Sequence, residues 1–330
     1  MPEINSPSST DATVDQLKLL YQMMLIRRFE EKAAEWYGKE KIRGFLHLCN
    51  GEEAVATGVL HWRKNEDRVI STYREHGHAI ASGIEPKRIM AELFGKVEGC
   101  SGGRGGSMHL FDVKKNFFGG LAIVGGHLPI ALGMAFADKQ LKRDQITFCF
   151  LGEGATAEGI FHESMNLASL WKCPVLFIVE NNLYAMATIV TKTLANSDFA
   201  IKAKSYGIKY FEEDGMDLKK ILETAHNAVE EVRSGMQPVL MAMNTYRFRA
   251  HSMFDAELYR EKSEVEKWKQ RDPIIMFSNH LKSAENISKD KINEMEKEIE
   301  QVLEEAISFA QSGSEEPVEN LHKHLVESNG

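Results

Sequence analysis

The stretch Ile146–Tyr184, ITFCFLGEGATAEGIFHESMNLASLWKCPVLFIVENNLY, decides the fold. Its first apolar run, Ile146 to Leu151, ends in Gly152-Glu153-Gly154, and a second, Val175 to Val179, ends in Glu180-Asn181-Asn182. Between them, Glu158 to Lys172 places Ile160, Phe161, Met165, Leu167, Ala168 and Trp171 at near-helical spacing, so the segment reads as the crossover of a βαβ unit. Two buried strands then deliver polar groups at their carboxyl ends, the edge at which open α/β sheets bind ligands.

Two chemistries fit such a unit. Gly152-Glu153-Gly154-Ala155-Thr156-Ala157 satisfies a loose Gly-x-Gly-x-x-Gly/Ala dinucleotide pattern after a strand, with Glu180 where a ribose-binding acid would stand. The same residues also resemble the thiamin diphosphate pattern, in which an acid inside a Gly-x-Gly turn and an Asn-Asn pair one crossover later hold magnesium on a diphosphate. Magnesium demands near-octahedral oxygen coordination. Glu153, Asn182 and the Tyr184 carbonyl would leave three positions, for two phosphate oxygens and a water. Position along the chain favours the second chemistry, because a dinucleotide fingerprint normally opens its domain and residues 1–145 precede this one. Taken alone, an ordinary glycine turn with an asparagine cap explains the motif as well.

The whole chain narrows the class. Its 330 residues suffice for one large α/β domain or two smaller ones, and 43% hydrophobic with 27% charged residues is the composition of a globular protein. A net charge of −8 with acids and bases intermixed argues against nucleic acid as a partner but leaves room for a local basic pocket. Cys49, Cys100, Cys149 and Cys173 form no Cys-x-x-Cys pair and read as reduced thiols in a cytoplasmic setting. Met1 to Ala12 carries neither the apolar core of a secretory signal nor the Arg-rich face of a transit peptide. No apolar run approaches the roughly 18 residues of a membrane span, so no membrane partner is expected.

Along the chain, residues 1–13 read as a flexible N-terminus, 14–273 as an α/β domain and 274–330 as a helical C-terminal tail. From Val14 to about Lys41, Leu17, Leu20, Tyr21, Met24, Leu25, Phe29, Ala33 and Trp36 recur at three and four residues, predicting a long amphipathic helix capped by Asp11 or Thr13. Glu52–Val59 and Pro86–Phe94 read as helices, Arg68–Thr72 as a strand between them, and Gly99–Gly106 as a glycine-rich loop. Gly119 to Pro129 reads as an apolar turn entering a helix. Beyond the central unit, Phe199–Ser205 and Leu218–Arg233 read as helices, Ile189–Ser197 as polar and aperiodic, and Pro238–Asn244 as a strand before a loop carrying Arg247, Arg249, His251 and Ser252. From Ser263, Glu- and Lys-rich helical segments broken at Asp272-Pro273 and Gly313–Pro317 run to the end.

Several further motifs each have a plain reading. Tyr73-Arg74 and His76 end a strand, where a guanidinium can fork onto phosphate oxygens and a phenol can donate a further bond; an ordinary surface loop explains them alone. Phe45-Leu46-His47 puts a histidine before a helix start, where capping or burial is the simpler role. Ser101 to His109 looks like a phosphate cradle but lacks the Gly-Lys-Ser/Thr ending of a P-loop, and so reads as a close-packing loop near the site. Ile123-Val124-Gly125-Gly126 suits the presentation of backbone groups to a heteroaromatic ring.

Taken together, Ile42 to Cys49, Tyr73-Arg74-Glu75-His76-Gly77, Gly105 to His109, Ile123-Val124-Gly125, Glu180 to Tyr184 and Tyr246-Arg247 with His251-Ser252 resemble the alpha subunit of thiamin-diphosphate-dependent 2-oxo acid dehydrogenases. Pyruvate dehydrogenase alpha subunits look most similar, over roughly Leu17 to Pro273 and in the family's order. The resemblance implies the thiamin-diphosphate-binding fold, an α/β architecture with a mainly parallel sheet and helices on both faces, in which 14–273 forms the diphosphate and magnesium half-site. It implies Glu153, Asn182 and Tyr184 as magnesium ligands, Tyr73, Arg74, Gly154, Ala155, Asn182 and His251 around the diphosphate, and Ala122 and Val124 facing the aminopyrimidine. His47, His76 and His251 would be the catalytic histidines, the first two near the reacting end. In this family the metal anchors the diphosphate and the cofactor carries the chemistry, decarboxylating a 2-oxo acid and passing the acyl group to a lipoyl arm.

The pattern departs from the family at one ligand. Asp normally occupies the Gly-x-Gly turn, and Glu153 is one methylene longer at a metal that tolerates little geometric error. The family's remaining catalytic acid and histidine come from a separate beta subunit, so the resemblance implies a heterotetramer of two alpha and two beta chains that docks a lipoyl-bearing dihydrolipoyl acyltransferase. Acetoin dehydrogenase alpha subunits are a near rival, on Gly51 to Val55 and Asp255 to Arg260. A nicotinamide-dependent Rossmann oxidoreductase would leave Asn181-Asn182 and Tyr73 to His78 without a role, and a catalytically silent scaffold with a lost metal site at Glu153 is the third alternative.

Overall fold

Thr147–Gly152 and Val175–Asn181 are neighbouring parallel strands, paired from Thr147 with Val175 to Gly152 with Glu180. Phe148, Phe150, Leu176 and Ile178 enter one core, while Cys149, Leu151, Phe177 and Val179 enter another. A strand buried on both faces has no polar alternation to show, which is why both read as unbroken apolar runs. Each fully buried side chain of this kind contributes about 1.5–3 kcal/mol relative to exposure.

The computed structural model describes residues 9–320 and 322. The chain begins with α1 (Ser9–Gly38), α2 (Glu53–Leu60), β1 (Arg68–Thr72), α3 (His76–Ala81), α4 (Pro86–Leu93) and β2 (Phe117–Leu121). It continues through α5 (Leu128–Gln140), β3 (Thr147–Gly152), α6 (Gly159–Trp171), β4 (Val175–Asn181), the short β5 (Tyr184–Ala185) and β6 (Thr188–Ile189), α7 (Val190–Thr193) and α8 (Phe199–Ser205). Then follow β7 (Lys209–Asp214), α9 (Leu218–Gly235), β8 (Val239–Asn244), α10 (Lys262–Lys269), α11 (Pro273–Ala284) and α12 (Lys289–Ser312).

Six strands form one parallel sheet in the order β2-β1-β3-β4-β8-β7. Leu20 of α1, Val55 of α2, Ile89 of α4, Val229 of α9, Leu281 of α11 and Leu303 of α12 share the core on one face. Leu132 of α5, Phe161 of α6 and Phe199 of α8 share the core on the other. This is the helix-flanked parallel sheet that the resemblance implies. After β1 the chain pairs β2 at one edge, then crosses back to place β3 on the far side of β1, so the winding reverses between β1 and β3. The carboxyl ends of strands at such a reversal leave a crevice.

Several boundaries differ from the sequence reading. Helix α1 already includes Ser9, so Asp11 and Thr13 lie inside it rather than capping it, and part of the expected flexible terminus is helical. The rest of that terminus, residues 1–8, lies outside the described residues. Phe117–Leu121 is an edge strand, so the expected turn at Gly119 to Pro129 begins within a strand. The strand β7 and the short helices α3 and α7 went unread. All four cysteines are unpaired, and among the described residues no helix is long and apolar enough to cross a membrane.

Candidate active site at the sheet reversal

The segments that follow β1, β2, β3, β4 and β8 meet around a cavity of about 260 Å³. Tyr73 and Arg74 come from the end of β1, Val124 from beyond β2, Glu153, Gly154 and Ala155 from beyond β3, Asn182 and Tyr184 from beyond β4, and Arg247 and His251 from beyond β8. A larger cavity, about 790 Å³, lies elsewhere, between α1, α10 and the 248–255 loop. No strand end of the sheet opens into it, so the smaller cavity is the candidate site.

One wall supplies oxygen. Glu153 is 1% exposed; its Oε2 accepts a long bond of 3.4 Å from the Asn182 N–H, and its Oε1 is buried with no hydrogen-bond partner among the described residues. Burial pushes this carboxyl up to about 7 against the opposing pull of backbone N–H groups, Arg247 and Arg74. Asn182 Oδ1 accepts from the Tyr184 N–H at 3.2 Å. Between these residues Leu183 stands at φ +74°, a left-handed conformation that a bulky side chain rarely adopts, so the turn carrying the expected metal ligands is strained. The orphaned carboxylate oxygen, the amide oxygen and the neighbouring carbonyl form a hard-oxygen donor set that fits magnesium. Among the described residues no cluster of three or more His, Cys, Asp or Glu offers a metal cage, so a cation here would depend on amide, backbone and ligand oxygens.

The facing wall supplies positive charge. Arg247 is 1% exposed; its Nε donates to the Arg249 carbonyl and one terminal nitrogen to the Tyr259 hydroxyl, and among the described residues it makes no ion pair. Arg74 donates to the Leu48 carbonyl at 2.7 Å and the His251 carbonyl at 2.9 Å, so its fork ties together the two loops that frame the cavity. Burial first, and then Arg74 and Arg247, pull His251 down to about 3, which keeps it neutral. His47 is drawn down to about 2, chiefly by burial; its ring lies 4.6 Å from the Tyr73 ring in a tilted contact and 5.1 Å from the His251 ring edge-on, behind the residues that line the cavity rather than among them.

The other expected residues are divided. Gly154, Ala155 and Val124 line the cavity, whereas the exposed Ala122 does not, although Leu121 and Ile123 on either side of it do. His76, expected near the reacting end, is fully buried away from the cavity. Its Nδ1 lies 2.7 Å from Glu30 Oε2 and its Nε2 lies 2.9 Å from Ser107 Oγ. The Ser101–His109 loop wraps around a carboxylate of the chain itself: Glu92 accepts bonds from the N–H groups of Ser101, Gly103, Gly105 and Gly106. The cradle is therefore already filled.

Sequence reasoning missed Glu52, Glu180 and Arg247 as lining residues. Glu180 Oε1 lies 3.0 Å from His78 Nε2, whose Nδ1 lies 2.9 Å from Ser71 Oγ. Glu52 is 3% exposed and its carboxyl is raised, first by burial and then by Glu180, with Arg74 opposing. Arg247 had a usable signal, since it follows a strand end on the same edge as Glu153; Glu52 had none beyond its place in a quoted motif.

An open parallel sheet whose reversal point gathers an acidic, oxygen-rich wall and a cationic wall defines an α/β protein with a ligand-binding crevice at its strand ends. Comparison with known proteins narrows this. Residues 21–319 match the family described as the dehydrogenase E1 component. A pyruvate dehydrogenase E1 component subunit alpha of Rhizobium meliloti (strain 1021) is 42% identical over 313 residues, covering 94% of this chain and 90% of that protein. Its counterpart in Rickettsia bellii (strain RML369-C) is 41% identical, over 94% of this chain and 95% of that protein. The chloroplastic subunit alpha-3 of Arabidopsis thaliana is 38% identical over 96% of this chain and 76% of its own length. The chain belongs to the dehydrogenase E1 component family, whose members are thiamin-diphosphate-dependent oxidoreductases, and the alpha-subunit resemblance stands. The Rossmann reading is set aside, because Asn182 and the Tyr73-Arg74 pair share one cavity with the Gly-x-Gly turn.

Proposed function

We propose that this chain is the alpha subunit of the decarboxylating component of a 2-oxo acid dehydrogenase complex, acting on pyruvate in the cytoplasm with thiamin diphosphate and magnesium. The observation that carries the reading is a buried carboxyl and a buried guanidinium on one cavity, neither in an ion pair among the described residues: Glu153, one oxygen of which has no hydrogen-bond partner there, and Arg247, which donates to the Arg249 carbonyl and the Tyr259 hydroxyl. Burying either charge without compensation is expensive. A divalent cation bound to a diphosphate satisfies both at once.

Glu153, Asn182 and the Tyr184 carbonyl would hold magnesium, and Arg74, Arg247, Tyr73 and the neutral His251 would surround the diphosphate. When bound, the cofactor would supply the decarboxylating chemistry and the acyl transfer to a lipoyl acceptor. The chain's own part is to bind, orient and enclose. The rim residues Ile123, 75% exposed, and Met186, 61% exposed, leave one side of the cavity uncovered by the described residues. That opening suits closure by a beta subunit in an assembly of two alpha and two beta chains, which in turn docks a lipoyl-bearing dihydrolipoyl acyltransferase.

The test is calorimetric titration of thiamin diphosphate with magnesium into the chain co-purified with its beta subunit, followed by turnover of pyruvate, acetoin and branched-chain 2-oxo acids with a dye acceptor. Binding lost in Glu153→Ala and turnover of pyruvate are expected. Turnover of acetoin alone would reassign the substrate, and binding of NAD without thiamin diphosphate would overturn the reading.

A further inference from the structure

Asn182 can serve a cation only if its amide presents oxygen, and an amide has no intrinsic preference for which end faces where. Its hydrogen bonds decide. Oδ1 accepts from the Tyr184 N–H at 3.2 Å, and Nδ2 donates to Glu52 Oε1 at 2.9 Å. Turning the amide over would set its NH₂ against the Tyr184 N–H and its carbonyl against the Glu52 carboxylate, opposing like with like at both ends. Tyr184 follows the strained Leu183 turn, so the bond from the Tyr184 N–H belongs to the segment being positioned. Glu52 is the anchor from outside it.

That anchor is itself held. Gly51, at φ +99°, lies where a Cβ would collide with the Tyr246 carbonyl, so only glycine allows the chain to pass there. Glu53 accepts the Gly51 N–H on both carboxylate oxygens at 3.0 Å and pairs with Arg27, which also reaches Asp272 at 2.7 Å at the start of α11. The second oxygen of Glu52, Oε2, has no hydrogen-bond partner among the described residues and faces Arg74 Nε at 3.9 Å.

We propose that Glu52 is a positioning residue, whose Oε1 fixes the Asn182 amide oxygen-first toward the cation position and whose Oε2 holds the register between that position and Arg74 on the diphosphate side. It rests on the thiamin diphosphate and magnesium reading above and assigns a residue that this reading leaves idle. Groups that orient metal ligands in this way typically carry ten- to hundredfold of metal affinity.

The experiment titrates Mn²⁺, read by electron paramagnetic resonance, into the alpha–beta complex with saturating thiamin diphosphate. Glu52→Ala should weaken Mn²⁺ binding about tenfold to hundredfold, while Glu52→Gln, whose amide oxygen still accepts from Asn182, should stay within about threefold of the parent. Asn182→Asp removes the amide that needs orienting, so adding Glu52→Ala to it should cause no further loss. Parent-like affinity in Glu52→Ala, a Glu52→Gln as weak as Glu52→Ala, or a further tenfold loss on the Asn182→Asp background overturns the positioning role. Mn²⁺ binding in the parent that vanishes in Glu153→Ala keeps the metal reading intact in each of those cases. Absence of binding in the parent complex overturns both. A Glu52→Ala chain that does not assemble leaves Glu52→Gln to decide, with an affinity loss beyond threefold counting against the proposal.

Discussion

Single residues in this cavity are governed by burial more than by their neighbours' identity, and His127 shows the consequence for pH. Its Nε2 lies 2.7 Å from the Phe150 carbonyl, its Nδ1 is buried without a partner among the described residues, and burial draws it down to about 4 against the pull of that carbonyl. The unfolded chain titrates this histidine near 6.5. Between pH 6.5 and 4 the unfolded state therefore binds a proton that the folded state refuses, so stability is fully present above about 6.5 and falls as pH falls through that window. His47 and His251 act in the same direction, so a variant is needed to isolate the contribution. In His127→Gln, the drop in unfolding free energy from pH 7 to pH 4.5, measured by urea denaturation, should shrink by about 2–3 kcal/mol; an unchanged drop would mean that His127 charges freely in the folded protein. The same dominance of burial explains what could be read at this scale from sequence. Glu153, Asn182 and Tyr184 announce themselves by a glycine turn and an asparagine pair at strand ends. Glu52 is placed by an element far away in the chain, Asn182, and no local pattern records that, whereas Arg247 follows a strand end on the same edge as Glu153.

Elements were readable in proportion to how completely one face or both faces are buried. The helix Phe199–Ser205 and the strands β3 and β4 follow from their apolar periodicity or its absence. Strand β7, KYFEED, pairs with β8 from Lys209–Val239 to Asp214–Asn244, yet it sits at the sheet edge with most side chains only partly covered, so neither alternation nor an apolar run survives. Strand β2, FFGGL, fails for another reason: Gly120 is required where the Glu75 carboxyl presses against the backbone, and glycine pairs read as turns. The Ser101–His109 loop misled in the opposite direction. Its glycines do present converging N–H groups, but to Glu92 rather than to a ligand, with bonds of 2.7 to 3.2 Å. Removing an acceptor from buried donors costs about 1–3 kcal/mol for each one left unpaired. Glu92→Gln should therefore destabilise by about 2–6 kcal/mol, because the new amide turns a donor toward two of the N–H groups, and Glu92→Ala, which leaves all four unpaired, by more. Scanning calorimetry would show the lowered Tm, and a Gln variant melting with the parent would mean that the loop holds its shape without the carboxylate.

Across the whole molecule, the division into an α/β domain and a helical tail is a question about cooperativity. Met295, Ile299, Leu303, Ala306, Ile307 and Ala310 of α12 are buried, and the helix packs against α4 and α1 within the same core that covers one face of the sheet. Beyond it, the Val97 N–H donates to the Ser314 carbonyl at 3.0 Å, and Arg104 pairs with Glu316, so the segment after α12 also fastens the glycine-rich loop. We propose that 274–330 is a tail in sequence but part of one folding unit with 14–273. Losing a buried Leu, Ile or Met side chain costs about 2–5 kcal/mol, so four such residues amount to about 8–20 kcal/mol, comparable to the whole 5–15 kcal/mol by which a typical domain is stable. A chain ended at Ser288 should therefore lose its cooperative thermal transition and its near-ultraviolet circular dichroism, and thiamin diphosphate should not restore either in complex with the beta subunit. A truncated chain that kept the parent's Tm would make the tail a separate unit, and its retention would then have to be explained by contacts with partner chains rather than by the core of this one.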